Sequence, residues 1–135
     1  GERVIAVEDV SEIGLESGHF ISLQTRQANI EGAGAICLDK LVREALRMRP
    51  DRIVVGEVHS TELVTLLQAS SSGHSAAATI HANSLNQVLD RIESVAIAAQ
   101  HSPKQLAQLA KKSIRWFIHL TVENSMRTIE IARND

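Results

Sequence analysis

The chain has 135 residues, 44% of them apolar and 22% charged, and its 14 basic and 16 acidic side chains leave a formal net charge of −2. That is the profile of one soluble globular domain, which excludes a disordered tail and offers no basic footprint for direct nucleic-acid binding. Cys37 is the single cysteine, so no internal disulfide framework exists, and three aromatics (Phe20, Trp116, Phe117) are too few for a stacking platform.

In chain order, Val4 to Val7 is an apolar strand candidate running into Glu8-Asp9, and Phe20 to Leu23 is a shorter one. Gly32 to Gly34 reads as a loop. Leu38, Leu41, Val42, Ala45 and Leu46 then fall at helical spacing on one stripe, and Pro50 stops that helix. Ile53-Val54-Val55 is a continuous apolar run, the pattern of a strand buried on both faces. Ser60 is placed to cap the next helix, with Glu62 in its first turn. Ala76 to Ile80 is another uncharged strand candidate that ends at His81.

Ser84 and Gln87 have capping-box spacing ahead of a helix marked by Val88, Ile92, Val95 and Ala96. Ser102-Pro103 with Gln105 opens a further helix. Trp116, Ile118, Leu120 and Val122 alternate strictly, and Asn124-Ser125 reads as the turn of a hairpin returning through Ile129 and Ile131. The stretch from Leu63 to Leu89 lacks charged residues, but its serines, histidines, Gln68 and Asn83 make it too polar to span a membrane. The N-terminus is no signal peptide, and its abrupt start on a strand suggests a piece of something larger. The expected class is α/β: a mostly parallel sheet flanked by helices, then a helical segment and a C-terminal antiparallel hairpin.

Three strand candidates end in polar side chains, Glu8, Glu57 and His81. Ligands of open α/β sheets bind outside the carboxyl ends of the strands, so these three could share one crevice, although a polar residue at a strand end is also often merely solvated. His74 and His81 match neither the H-E-x-x-H nor a Cys/His zinc spacing, and no carboxylate lies between Glu62 and Asp90, which argues against a metal hydrolase. No G-x-S-x-G is present for a serine nucleophile. Phosphate chemistry suits the set better: carboxylates order Mg²⁺ and a water, while a His or Arg senses the terminal phosphate.

These residues sit in three runs that resemble signatures of the traffic ATPases, the hexameric motors of type II and type IV secretion, conjugation and type IV or tight-adherence pili. RVIAVEDVSEI (Arg3 to Ile13) resembles the Asp box, ALRMRPDRIVVGEV (Ala45 to Val58) the Walker B box, and SSGHSAAATIHANS (Ser71 to Ser84) the His box. The order and spacing agree with the family over nearly the whole chain. The resemblance implies a partial RecA-like P-loop NTPase core over 1–135, with about 84–135 as its helical and hairpin part.

It further implies that Glu57 supports Mg²⁺ through water and helps order the attacking water. Glu8 matches the usual candidate for general base. Glu12 is a second carboxylate of the Asp box, or equally a solvated loop residue. His81 matches the histidine facing the γ-phosphate. His74 matches the first His-box histidine, read as a phosphate-site residue or a structural one. Arg26, in SLQTR, resembles an arginine that reaches nucleotide phosphate, or else is an ordinary surface residue. ATP and Mg²⁺ are the implied cofactors. The implied partners are five further copies in a ring and the inner-membrane secretion or pilus machinery, with the protein peripheral on the cytoplasmic face.

The chain departs from the family at His59, where many members have arginine, at Ala76 and Ala77, usually Gly or Ser, and at Val10, which is proline in some branches. It also contains no Gly-Lys: Lys40, Lys104, Lys111 and Lys112 follow Asp, Pro, Ala and Lys. The phosphate cradle G-x-x-x-x-G-K-[ST] is therefore absent from these residues. The expectation is a C-terminal piece of an ATP-hydrolysing motor that is inactive on its own. The competing expectation is a non-catalytic, truncated or degenerate assembly module.

Overall fold

A computed structural model describes residues 1–16, 18–123 and 125–134. The chain divides into two compact units, Gly1–Ile80 and His81–Asp135.

The first unit is built on a four-stranded sheet. Its strands are β1 (Arg3–Glu8), β2 (His19–Gln24), β3 (Arg52–Val55) and β4 (Ser75–Ala78). Their order is β2-β1-β3-β4 and every neighbouring pair is parallel. Ile5 lies in register between Ile21 and Ile53, which in turn pairs with Ala76. Being internal, β1 is the driest strand: Ile5, Ala6 and Val7 have no exposed surface. Each large aliphatic side chain buried this way contributes about 1.5–3 kcal/mol.

The helices α1 (Leu38–Arg47) and α2 (Thr61–Ser71) pack on each other, and α1 covers β1 and β3 with Leu38, Val42 and Ala45. α1 ends three residues before Pro50; Met48 closes it on the Ala45 carbonyl, and Arg49 turns the chain at φ 53°. A bidentate pair from Arg52 to Glu2, at 2.6 and 3.1 Å, ties the start of β3 to the chain ahead of β1.

Two expectations about this unit change. β4 is displaced toward its amino end and is not buried: Ser75, Ala77 and Ala78 are exposed, because among the described residues β4 lies at the edge of the sheet and pairs with β3 alone. Ser60 does hold the N-cap of α2, but its hydroxyl makes no capping bond. The Glu62 carboxylate does that work, accepting from the backbone N–H groups of His59 and Ser60 at 2.6 Å each while only 2% exposed.

The second unit contains a 3₁₀ turn (Leu85–Gln87), α3 (Val88–Ala98), α4 (Pro103–Ser113) and the antiparallel strands β5 (Trp116–Glu123) and β6 (Met126–Arg133). α3 and α4 pack together through Ile92, Val95, Ala96, Leu106 and Ala110. The capping box at Ser84 and Gln87 does not form, since the 3₁₀ turn occupies that segment and Gln87 becomes the N-cap of α3. Pro103 takes the first position of α4 as expected, without a bond from the Ser102 side chain. The hairpin is present, with Ser125 at φ 65°; Asn124, its other turn residue, lies outside the described residues. No helix among the described residues is long and apolar enough to cross a membrane.

Candidate active site

In the first unit all four strands run the same way, so their carboxyl ends share one edge. β1 delivers Glu8 there as its last residue, and β3, its neighbour, delivers Glu57 two residues beyond Val55. The backbone pairing persists past the strands: Thr25 N–H donates to the Glu8 carbonyl, Gly56 N–H to Val7 and Val58 N–H to Thr79. The Thr79 hydroxyl also donates to the Gly56 carbonyl.

Glu8 is 3% exposed. Its Oε1 accepts the backbone N–H groups of Glu12 and Ile13, both at 3.0 Å, so the loop after β1 wraps around one carboxylate oxygen. The other oxygen, Oε2, is buried with no hydrogen-bond partner. An unsatisfied buried acceptor costs about 1–3 kcal/mol, and such orphans call for a missing donor. Glu57 is half-buried.

Gly56 permits this arrangement. A Cβ at residue 56 would stand 3.1 Å from Glu8 Cγ and 3.7 Å from Glu8 Cα. Next to it, His59 Nε2 lies 3.5 Å from Asp9 Oδ2 and Nδ1 lies 3.7 Å from Glu62 Oε1, while Asp9 Oδ1 accepts from the Thr25 hydroxyl at 2.9 Å. These contacts join the loops after β1, β2 and β3. Gly56 and Glu62 are the contributors that sequence reasoning did not assign to the site; the only sequence signal was a lone glycine breaking the IVVGE run.

The other candidates are placed differently. Arg26 follows β2 on the same carboxyl edge, but its Nε donates to the Gly34 carbonyl at 2.7 Å, and Arg26 and Ile36 form an isolated bridge that closes the 27–35 loop. The Glu12 side chain is exposed, and it is the backbone N–H of Glu12 that meets Glu8. His74 immediately precedes β4, at the amino edge of the sheet, and its Nδ1 is 3.2 Å from the Ala69 carbonyl. In a parallel sheet that is the far edge from Glu8 and Glu57. His81 belongs to the second unit, where it is exposed and lines an open cleft of about 420 Å³ with Asn83, Asp90 and Arg91.

Among the described residues no group of three or more His, Cys, Asp or Glu side chains could hold a metal ion. A protein-only metal cage is thus not what these carboxylates build. Magnesium bound mainly by water and phosphate oxygens, with one or two carboxylates, is compatible with them.

A parallel sheet flanked by helices, followed by an antiparallel hairpin, is a partial RecA-like fold, and it recurs in solved secretion ATPases. The VirB11 ATPase of the Brucella suis type IV secretion system, solved with sulphate, superposes with a TM-score of 0.83 at 22% identity, covering 98% of this chain and 40% of that one. The pilus retraction motor PilT, solved with bound ADP, gives 0.71 at 22% identity over 99% of this chain and 39% of that one. In sequence, a putative conjugal transfer protein of Mycobacterium tuberculosis is 48% identical over 95 residues, which are 70% of this chain and 27% of that protein. The profile of the type II/IV secretion system protein family matches residues 1–129. The chain belongs to that family, and it spans well under half the length of the proteins it matches.

Proposed function

We propose that the full-length protein hydrolyses ATP to power protein or DNA transport or pilus assembly, with residues 1–135 supplying the hydrolytic side of the site. The observation that carries this reading is the pair of carboxylates at the carboxyl ends of adjacent parallel strands, Glu8 closing β1 and Glu57 two residues past β3. One of them, Glu8, is held by two backbone N–H groups and keeps a buried oxygen with no donor. A carboxylate with one oxygen fixed and the other unpaired suits a general base, provided that binding of substrate brings a water within hydrogen-bond reach of the unpaired oxygen.

In this reading Glu8 Oε2 accepts the proton of the water that attacks the γ-phosphate. Glu57 orients that water and holds the solvent shell of Mg²⁺, which when bound neutralises charge on the phosphate oxygens. Arg26, on the same edge, contributes positive charge toward phosphate. His81 is assigned a hydrogen bond to the terminal phosphate. Glu12 acts through its backbone, and His74 is a structural residue capping the α2–β4 connection.

The phosphate cradle is proposed to lie in the part of the protein outside these residues, since no Gly-Lys occurs within them. The ADP in the PilT structure supports nucleotide as the ligand. Membership of the family supports assembly into a homo-hexamer with inner-membrane secretion or pilus components, on the cytoplasmic face. The test is turnover by the full-length protein: Glu8→Gln and Glu57→Gln should each lower kcat by at least ~10²-fold, the scale of losing a positioned base or electrostatic group. ATP binding should survive. Parental turnover in either variant removes the role given to that residue.

A further inference from the structure

Glu57 lies past the end of β3, so the strand ladder that fixes Glu8 does not include it: the last paired residues of β3 and β4 are Val55 and Ala78. Its neighbours in the chain are held instead. On the β1 side, Gly56 N–H donates to the Val7 carbonyl at 2.9 Å. On the β4 side, one residue makes two bonds. The Thr79 hydroxyl donates to the Gly56 carbonyl, and the Thr79 carbonyl accepts from Val58 N–H at 2.9 Å. Thr79 therefore grips both the residue before Glu57 and the residue after it. The three residues ahead of Thr79, Ala76 to Ala78, carry only methyl groups, so Thr79 brings the first side-chain donor to this end of β4.

We propose that Thr79 is a positioning residue for hydrolysis, its hydroxyl fixing the peptide between Gly56 and Glu57 and so the direction in which the Glu57 carboxylate leaves the sheet edge. This inference rests on the reading of Glu57 as the group that orients the attacking water. Gly56 gives the hold its purpose. It has no side chain because Glu8 packs against it, and a glycine is the most permissive backbone unit. A peptide that starts on a glycine keeps its orientation only if something outside grips its carbonyl, and the Thr79 hydroxyl is that grip. Misplacing a catalytic group by about 1 Å can cost ~10²-fold in rate.

The test compares Thr79→Val, which keeps the shape and removes the donor, with Thr79→Ser, which keeps the donor, in the full-length protein. Thr79 is exposed, so neither replacement overpacks a core. Thr79→Val should lower kcat about tenfold with KM for ATP unchanged, the signature of an interaction that matters in the transition state and not in substrate binding. Thr79→Ser should recover most of that loss. Without nucleotide, the Val58 amide should exchange its hydrogen several-fold faster in Thr79→Val than in the parent or in Thr79→Ser. In a Glu57→Gln background, single-turnover rates should show no further loss from Thr79→Val, because Thr79 acts through Glu57. Parental kcat in Thr79→Val, or unchanged exchange at Val58, overturns the inference while a slow Glu57→Gln leaves the hydrolytic reading standing. Serine as slow as valine, a raised KM, or a full tenfold further loss in the Glu57→Gln background also overturns it. Parental turnover in Glu57→Gln removes the hydrolytic reading itself, and this inference with it.

Discussion

Gly56 lies against Glu8 so closely that a methyl group on it would come within 3.1 Å of the Glu8 side chain. Two neighbouring parallel strands thus meet at their carboxyl ends with no side chain between them, and Glu8 can fold back to collect the N–H groups of Glu12 and Ile13. Substituting Gly56→Ala in the full-length protein should displace the Glu8 side chain by a few tenths of an ångström and strain its bonds to those donors. The expected cost is about 1–3 kcal/mol of stability, the range for overpacking a tight site, together with a loss of ATP turnover. Denaturant midpoints and steady-state turnover of the same variant check both, and an unchanged midpoint would show that Glu8 can yield freely.

Glu62 is the hidden cap of α2. Its carboxylate is 2% exposed and satisfies two backbone donors, those of His59 and Ser60. Removing it leaves both N–H groups without that acceptor, so Glu62→Ala should destabilise the full-length protein by about 0.5–2 kcal/mol, the range for losing a helix cap. Ser60→Ala, in contrast, should leave the thermal midpoint nearly unchanged, because that hydroxyl makes no capping bond. Comparing the two midpoints decides which residue caps the helix.

Asp39 joins α1 to α2 by accepting from the Thr65 hydroxyl at 2.6 Å, and it also pairs with Arg43 at 2.9 Å. Burial, the largest single influence, pushes its carboxyl up. The hydrogen bonds from Arg43 and Thr65, with the Arg43 charge, outweigh that and hold it below the ordinary value. A carboxyl lowered in the folded state stabilises above its unfolded pKa, about 3.9, and that stability is lost as pH falls through the folded value. Asp39→Asn should therefore be less stable than the parent near neutral pH, by on the order of 1 kcal/mol. The gap should persist down to roughly pH 4 and close below it. Urea midpoints across that range measure it; a gap that widens in acid contradicts the sign.

The isolated 135-residue chain should show no ATPase activity and bind Mg-ATP no better than ~1 mM, about −4 kcal/mol. Phosphate binding in P-loop proteins comes mainly from loop N–H groups, the loop lysine and a helix N-terminus, and no Gly-Lys occurs in these residues. Glu8, Asp9, Glu12 and Glu57 instead give the carboxyl edge an acidic balance. Calorimetry with Mg-ATP reads the outcome directly, and micromolar binding would place a phosphate site within these residues.

The order of elements was legible from the sequence because it depends on near neighbours. Apolar spacing marked α1, the IVV run marked β3, Pro103 marked the start of α4, and strict alternation marked β5. The three motif runs identified the family for the same reason, as local strings that the profile match over residues 1–129 supports. The site was legible in outline: Glu8 and Glu57 were expected at strand ends that share one crevice, and the strand order β2-β1-β3-β4 makes their strands parallel neighbours. Tertiary structure alone set the orphan oxygen of Glu8 and the closeness of Gly56, since each depends on groups brought together by folding. It also put His74 at the far edge of the sheet and turned the apolar face of β5 toward water. Periodicity tells which side chains share a face, whereas burial depends on what that face meets.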